Sequence, residues 1–118
     1  MASKTGVKEV VSAFITALNN ENFDEAHNWI SDDLTFVGVL GTRQGGDTYI
    51  EDMKKMRLKY TIQKVFVDEQ DVCLWYEIDM SGVKVLSSGW YQVENGKITQ
   101  FKVLFDPRPV LEAAAKKS

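Results

Sequence analysis

The chain is poor in several residue types, and each shortage excludes something. It has one cysteine, one histidine and two prolines in 118 residues. A single cysteine, Cys73, cannot form an internal disulfide or a multi-cysteine metal site. The lone histidine, His27, has no second histidine or clustered carboxylates beside it, so neither a metal nor a cofactor is expected. No apolar run approaches the roughly 20 residues of a membrane-spanning helix. The opening Met-Ala-Ser-Lys-Thr-Gly lacks the apolar stretch of a secretory signal. No membrane partner is expected, and a reducing cytoplasm is the expected setting. Charge of one sign is not concentrated either. The net charge is −3 and the basic residues are scattered. Phosphate backbones reward clustered positive charge, so nucleic acid is not an expected partner.

What is present describes one soluble-type domain. Apolar residues make up 44% of the chain, and this length supports a core able to fold unaided. Val7, Val10, Val11, Phe14, Ile15 and Leu18 recur at helical spacing and predict a first helix of about four turns, with Thr5 as its cap. Asn22 and Glu25 have capping-box spacing and predict a second helix, with Phe23, Ala26 and Ile30 on its buried face and Trp29 beside it. Ser31-Asp32-Asp33 leads into a strand from Leu34 to Leu40. Gly41 to Gly46 reads as a loop without the Lys-Ser/Thr ending of a phosphate-binding loop. Asp47 or Thr48 caps a third helix with Tyr49, Ile50, Met53 and Met56 on one face.

Four strand-like runs follow: Tyr60 to Val67, Val72 to Met80, Val83 to Val93 and Lys97 to Phe105. Ser81-Gly82 and Asn95-Gly96 are hairpin signals. The last run stops at Asp106-Pro-Arg-Pro109, and Ala113 to Ser118 reads as a fraying helical tail. The order is helix, helix, strand, helix, then four strands with short antiparallel connections. The expected class is α+β, with helices packed on one face of a curved antiparallel sheet.

Strand alternation assigns the faces. Leu74, Tyr76, Ile78 and Met80 face the helices, because the opposite choice would bury Glu77 and Asp79 unpaired. Val85, Ser87, Gly89, Tyr91 and Val93 follow on the return strand, and Phe101, Val103 and Phe105 on the last. A slip of one residue would exchange the faces and make the interior acidic. The outer face then carries Trp75, Leu86, Trp90 and Leu104, which predicts a homodimer through that surface. Cys73 lies on the same face as a packing residue.

These pieces together resemble the SnoaL-like branch of the nuclear transport factor 2-like superfamily over about residues 4 to 110, leaving 111 to 118 as a tail. The resemblance is carried by the first helix Val10 to Asn19, Phe23 to Asp33, and Gly41-Thr-Arg-Gln-Gly-Gly-Asp47. The hairpin Gly89 to Ile98 and the exit Phe105-Asp-Pro-Arg-Pro109 complete it. The resemblance implies a cone, a strongly bent antiparallel sheet wrapped by three helices around a deep apolar cavity, in a protein that is commonly dimeric. It includes ketosteroid isomerase, polyketide cyclases, scytalone dehydratase and limonene epoxide hydrolase. The catalytic groups of ketosteroid isomerase are absent: its tyrosine, base and second aspartic acid match Phe14, Gly38 and Gly89. The arginine and paired aspartates of the epoxide hydrolases are not evident, since the first strand and its loop supply only Arg43.

The expected function is binding of a small hydrophobic molecule in the cone, as a pocket or as a cofactor-free isomerase, cyclase or dehydratase-type enzyme. Phe14, Trp29, Phe36, Tyr49, Met53, Tyr76, Ser87, Tyr91, Phe101 and Val103 are the expected lining. Tyrosine hydroxyls are candidate donors to a ligand carbonyl, or core aromatics with satisfied hydroxyls. His27 is expected at a half-buried or solvent-facing position rather than in catalysis. The alternative is a non-catalytic dimeric interaction module whose cavity is collapsed by its aromatics.

Overall fold

A computed structural model describes residues 6–117, with the side chain of residue 117 left aside; the expected cap Thr5 lies outside the described residues. Among the described residues, four helices accompany six strands. In chain order these are α1 (Val7–Asn19), α2 (Phe23–Asn28), β1 (Ile30–Gly38), β2 (Gly41–Gln44), α3 (Gly46–Met56), β3 (Lys59–Asp68), β4 (Asp71–Met80), β5 (Val83–Glu94), β6 (Lys97–Phe105) and α4 (Arg108–Lys117). The strands form one sheet in the order β2-β1-β6-β5-β4-β3. All neighbours are antiparallel except β1 and β6, which run parallel, so the sheet is mixed. No hairpin joins that pair: β2, α3 and three further strands lie between β1 and β6 in the chain, so they are free to run parallel.

The helices form where the apolar spacing demands. α1 buries Val10, Val11, Phe14, Ile15, Ala17 and Leu18. Its last residue, Asn19, fastens β3: its side chain donates to the Tyr60 carbonyl at 2.9 Å and accepts from the Tyr60 amide at 2.7 Å. Asn22 caps α2 by accepting from the Glu25 amide at 3.2 Å. The Glu25 carboxylate does not return to Asn22; it accepts from the Trp29 indole at 2.8 Å.

Three local expectations are corrected. The second helix ends at Asn28, and Ile30 already belongs to β1, whose pairing with β6 shifts register between Ile30 and Thr35. The segment expected as a loop contains β2, which pairs with β1 from Thr35↔Gln44 to Gly38↔Gly41 across the Val39-Leu40 turn. The third helix begins at Gly46 without a side-chain cap, not at Asp47 or Thr48. In addition, the expected tail, as far as Lys117, is part of α4, which starts at Arg108; Ser118 lies outside the described residues.

The C-terminal hairpins follow the expected register. Ser81-Gly82 and Asn95-Gly96 adopt positive φ at both central residues (56° and 93°, 53° and 78°), the turn geometry whose twist matches paired strands. Tyr76, Ile78, Tyr91 and Phe101 are buried, whereas Trp75, Leu86, Trp90 and Leu104 are exposed. Glu77 and Asp79 lie on the outer face with Trp75, and the Asp79 carboxylate accepts from the Gly82 amide at 2.8 Å in the turn. The one-residue slip that would have turned these acids inward does not occur.

Candidate functional site

Aromatic rings on the inner sheet face meet rings from the helices. Phe101 of β6 is their hub. It stacks on Tyr91 at 4.7 Å between centroids and meets Phe36 at 4.9 Å, Tyr49 at 5.2 Å and Phe14 at 5.9 Å. Flat rings in tilted and edge contacts attract one another but cannot fold to fill corners. Beside this cluster lies an apolar cavity of about 170 Å³. Its walls come from Tyr49, Met53 and Met56 of α3, Leu58 just before β3, Tyr60 of β3, and Ile78 and Met80 of β4. Phe101, Val103 and Phe105 of β6 close one side, and Phe36 with the Gly38 to Gly41 turn forms the rim. Val110 of α4 also borders the cavity.

The expected lining residues divide. Phe36, Tyr49, Met53, Phe101 and Val103 border the cavity. Phe14, Tyr76, Ser87 and Tyr91 are buried and do not border it. The Ser87 hydroxyl donates to the Val85 carbonyl at 3.2 Å and faces no open space. Trp29 sits at the end of α2, held by Glu25, away from the cavity. Alternation along a strand distinguishes inside from outside, but it does not say how far along the cone each inward residue falls.

The tyrosines share one dry neighbourhood. The Tyr76 and Tyr91 hydroxyls lie 2.7 Å apart and satisfy each other. Tyr60 approaches Tyr76 at 5.4 Å between rings, and its hydroxyl points to the Met53 sulfur at 3.9 Å. Burial pushes the phenols of Tyr49, Tyr60, Tyr76 and Tyr91 above the ordinary value of 10.0, and for Tyr49 the neighbouring Tyr60 and Tyr76 add to it. Gly89 makes room for the hydroxyl pair. A Cβ there would overlap the Tyr76 hydroxyl and come within 2.7 Å of Tyr91 Cε1. At Gly38 a Cβ would come within 2.9 Å of the Phe36 ring. The two positions matched to isomerase carboxylates thus have little room for any side chain.

Sequence reasoning missed the polar groups of the site. Among the described residues, Arg43 and Asp52 are the only charged side chains lining the cavity. Arg43 Nε donates to Asp52 Oδ2, and an Nη1 hydrogen goes to the Thr42 carbonyl at 3.1 Å. Arg43 is therefore not alone, although it has one aspartate and not two. Recognising β2 as a strand would have placed Arg43 beside α3; nothing in the spacing of Asp52 marks it. His27 lies elsewhere, in a shallow cleft between α2 and α3, where its Nε2 is 2.6 Å from Asp47 Oδ1. No group of three or more His, Cys, Asp or Glu side chains arranged to hold a metal exists among the described residues.

The family model of the SnoaL-like domain matches residues 11–101. The chain belongs to the SnoaL-like family. An NTF2-like protein of unknown function from Cytophaga hutchinsonii is 42% identical, with 94% of this chain and 99% of that chain covered and a TM-score of 0.91. An LEH-like epoxide hydrolase from M. tuberculosis is 23% identical, with coverages of 93% and 90% and a TM-score of 0.78. A de novo designed protein with a curved β-sheet is 19% identical, with coverages of 95% and 96% and a TM-score of 0.75. These last two share the fold with this SnoaL-like chain and carry no argument about its chemistry. None of the curated proteins matches it. No helix among its described residues is long and apolar enough to cross a membrane.

The buried phenols of this SnoaL-like domain make its stability sensitive to alkali in a definite direction. Their folded pKa values are raised, so the stabilisation is complete below about pH 10 and is lost as pH rises beyond it toward the folded values. Ultraviolet absorbance should show no tyrosinate in the folded protein near pH 10. All four tyrosines should then ionise together with the loss of circular dichroism. Ionisation of Tyr49 or Tyr60 near pH 10 in folded protein would show that water reaches the chamber.

Proposed function

We propose that this protein binds a small hydrophobic molecule in the apolar chamber beside Phe101. The supporting observation is an open space at a place where rigid rings and flexible methionines could have closed it. Its volume of about 170 Å³ sets the scale. A cavity of roughly 150 Å³ holds benzene, whereas clefts for drug-sized ligands run to about 300–1,000 Å³. The occupant is then a single ring or a short branched chain, not a molecule of several fused rings. Met53, Met56 and Met80 give the wall some adaptability. Binding is the function that the lining supports, because the carboxylate positions of the isomerase are closed by Phe36 and Tyr76. An open chamber also favours a ligand site over an interaction module with a collapsed interior.

Toluene is a suitable apolar probe. Wild-type protein should bind it in a calorimetric or NMR titration, and Met53→Trp should abolish that binding by filling the chamber. The same variant should stay within about 1 kcal/mol of wild-type stability, since overpacking a filled core costs about 1–3 kcal/mol. No toluene binding by the wild type, or a Met53→Trp variant that binds unchanged, would refute the proposal.

We further propose that the outer sheet face joins two copies of the chain. Trp75, Leu86, Trp90 and Leu104 are 44%, 56%, 45% and 67% exposed. They form a continuous patch because Trp75 and Leu104 both lie opposite Ser88, while Trp90 lies opposite Cys73 and Lys102. The Lys102 ammonium sits 5.1 Å from the Trp90 ring centre. A second copy supplies the same apolar surface, which suits an isologous contact. The free thiol of Cys73 on this face is compatible with a reducing, cytoplasmic setting. Wild-type protein should sediment as a dimer and a Trp75→Glu, Trp90→Glu variant as a monomer. A variant sedimenting like wild type would remove the interface.

A further inference from the structure

We infer that the Arg43–Asp52 pair is the polar end of the chamber and that it selects a neutral ligand carrying a hydroxyl group. This inference rests on the ligand-binding proposal above and names the class of molecule bound. Arg43 extends from β2 and Asp52 from α3, and both border the same apolar space. Their side chains are 49% and 28% exposed, so a ligand entering the mouth can reach them. The Asp52 charge is also felt inside the chamber, where it is among the influences that raise the Tyr49 phenol.

Charge decides between ligand classes. Asp52 already balances the guanidinium. A ligand carboxylate approaching Arg43 meets the Asp52 carboxylate, and a ligand ammonium approaching Asp52 meets Arg43. Each would have to break the existing pair and shed its own hydration in an apolar mouth. A hydroxyl has no such conflict, because it both donates and accepts. Arg43 gives one hydrogen to Asp52 and one to the Thr42 carbonyl. Its other guanidinium hydrogens and Asp52 Oδ1 make no hydrogen bond among the described residues. One hydroxyl can donate to Asp52 Oδ1 and accept from an Arg43 amino group while the ion pair stays intact. The apolar body of the ligand then lies against Met53, Ile78 and Phe101.

Ring-matched probes separate this inference from the proposal beneath it. Toluene, benzyl alcohol, benzoate and benzylamine are titrated against wild type, Asp52→Asn and Arg43→Gln, with folding of each variant checked by circular dichroism. Wild type should bind benzyl alcohol about tenfold more tightly than toluene, as expected for a hydrogen bond to a charged group. Benzoate and benzylamine should bind more weakly than the alcohol. Asp52→Asn frees the guanidinium, so benzoate should gain about tenfold while the advantage of the alcohol shrinks. Arg43→Gln should shift preference toward benzylamine and preserves the test if the first variant fails to fold. If toluene binds but the hydroxyl adds nothing, or neither folded variant changes the ranking, the pair is only a tether between β2 and α3 and the inference falls alone. If no probe binds, the ligand proposal falls as well.

Discussion

The position of the Phe101 ring is the constraint on which the site depends. It is carried by a strand held on both sides, by β5 antiparallel and by β1 parallel. Four other rings, from α1, β1, α3 and β5, pack around it. Burial of a side chain of this size contributes about 1.5–3 kcal/mol, and each favourable aromatic pair about 0.5–1.5 kcal/mol more. A ring held from several directions cannot swing aside. The sheet and α3 therefore meet at a fixed separation, and the space beyond the ring is left for side chains that approach only from the end of the cone. Val103, Phe105, Met80 and Val110 line that space without filling it.

Polarity is distributed in keeping with this frame. Deep in the core the hydroxyls of Tyr76 and Tyr91 satisfy each other, and no charge accompanies them. Among the described residues that line the cavity, full charges are carried only by Arg43 and Asp52, which water still reaches. A buried ion pair would cost desolvation that a hydrophobic chamber could not return. At the mouth the same pair keeps part of its hydration and can still orient a ligand. The gradient from paired phenols to a half-exposed ion pair makes the chamber suitable for a molecule with one polar end.

Much of this architecture is legible in the order of the amino acids. Glu77 and Asp79 alternate with Tyr76 and Ile78, and the cost of burying unpaired acids assigns the faces of β4 and its neighbours. Asn95-Gly96 and Ser81-Gly82 mark turns because both central positions need positive φ. β2 is not legible in the same way. It is a short edge strand of Gly, Thr, Arg and Gln, exposed throughout and paired to β1 alone, so it carries no apolar alternation. Without it, the approach of Arg43 to Asp52 stays hidden. Which of the inward-facing residues border the cavity is not legible for a different reason. Tyr76, Tyr91 and Phe101 all point inward, but their distance from the mouth depends on strand stagger and sheet curvature, which alternation does not encode.

A designed protein with a curved sheet has the same architecture, so the cone by itself says nothing about a ligand. Ligand binding requires the space beside Phe101 to be empty, apolar and accessible. A crystal structure of the protein under xenon pressure tests that most directly. Xenon should occupy a site bounded by Met53, Ile78, Phe101 and Val103, with the surrounding rings unmoved. A crystal without xenon there, in which Met53 or Met56 fills the space, would contradict it.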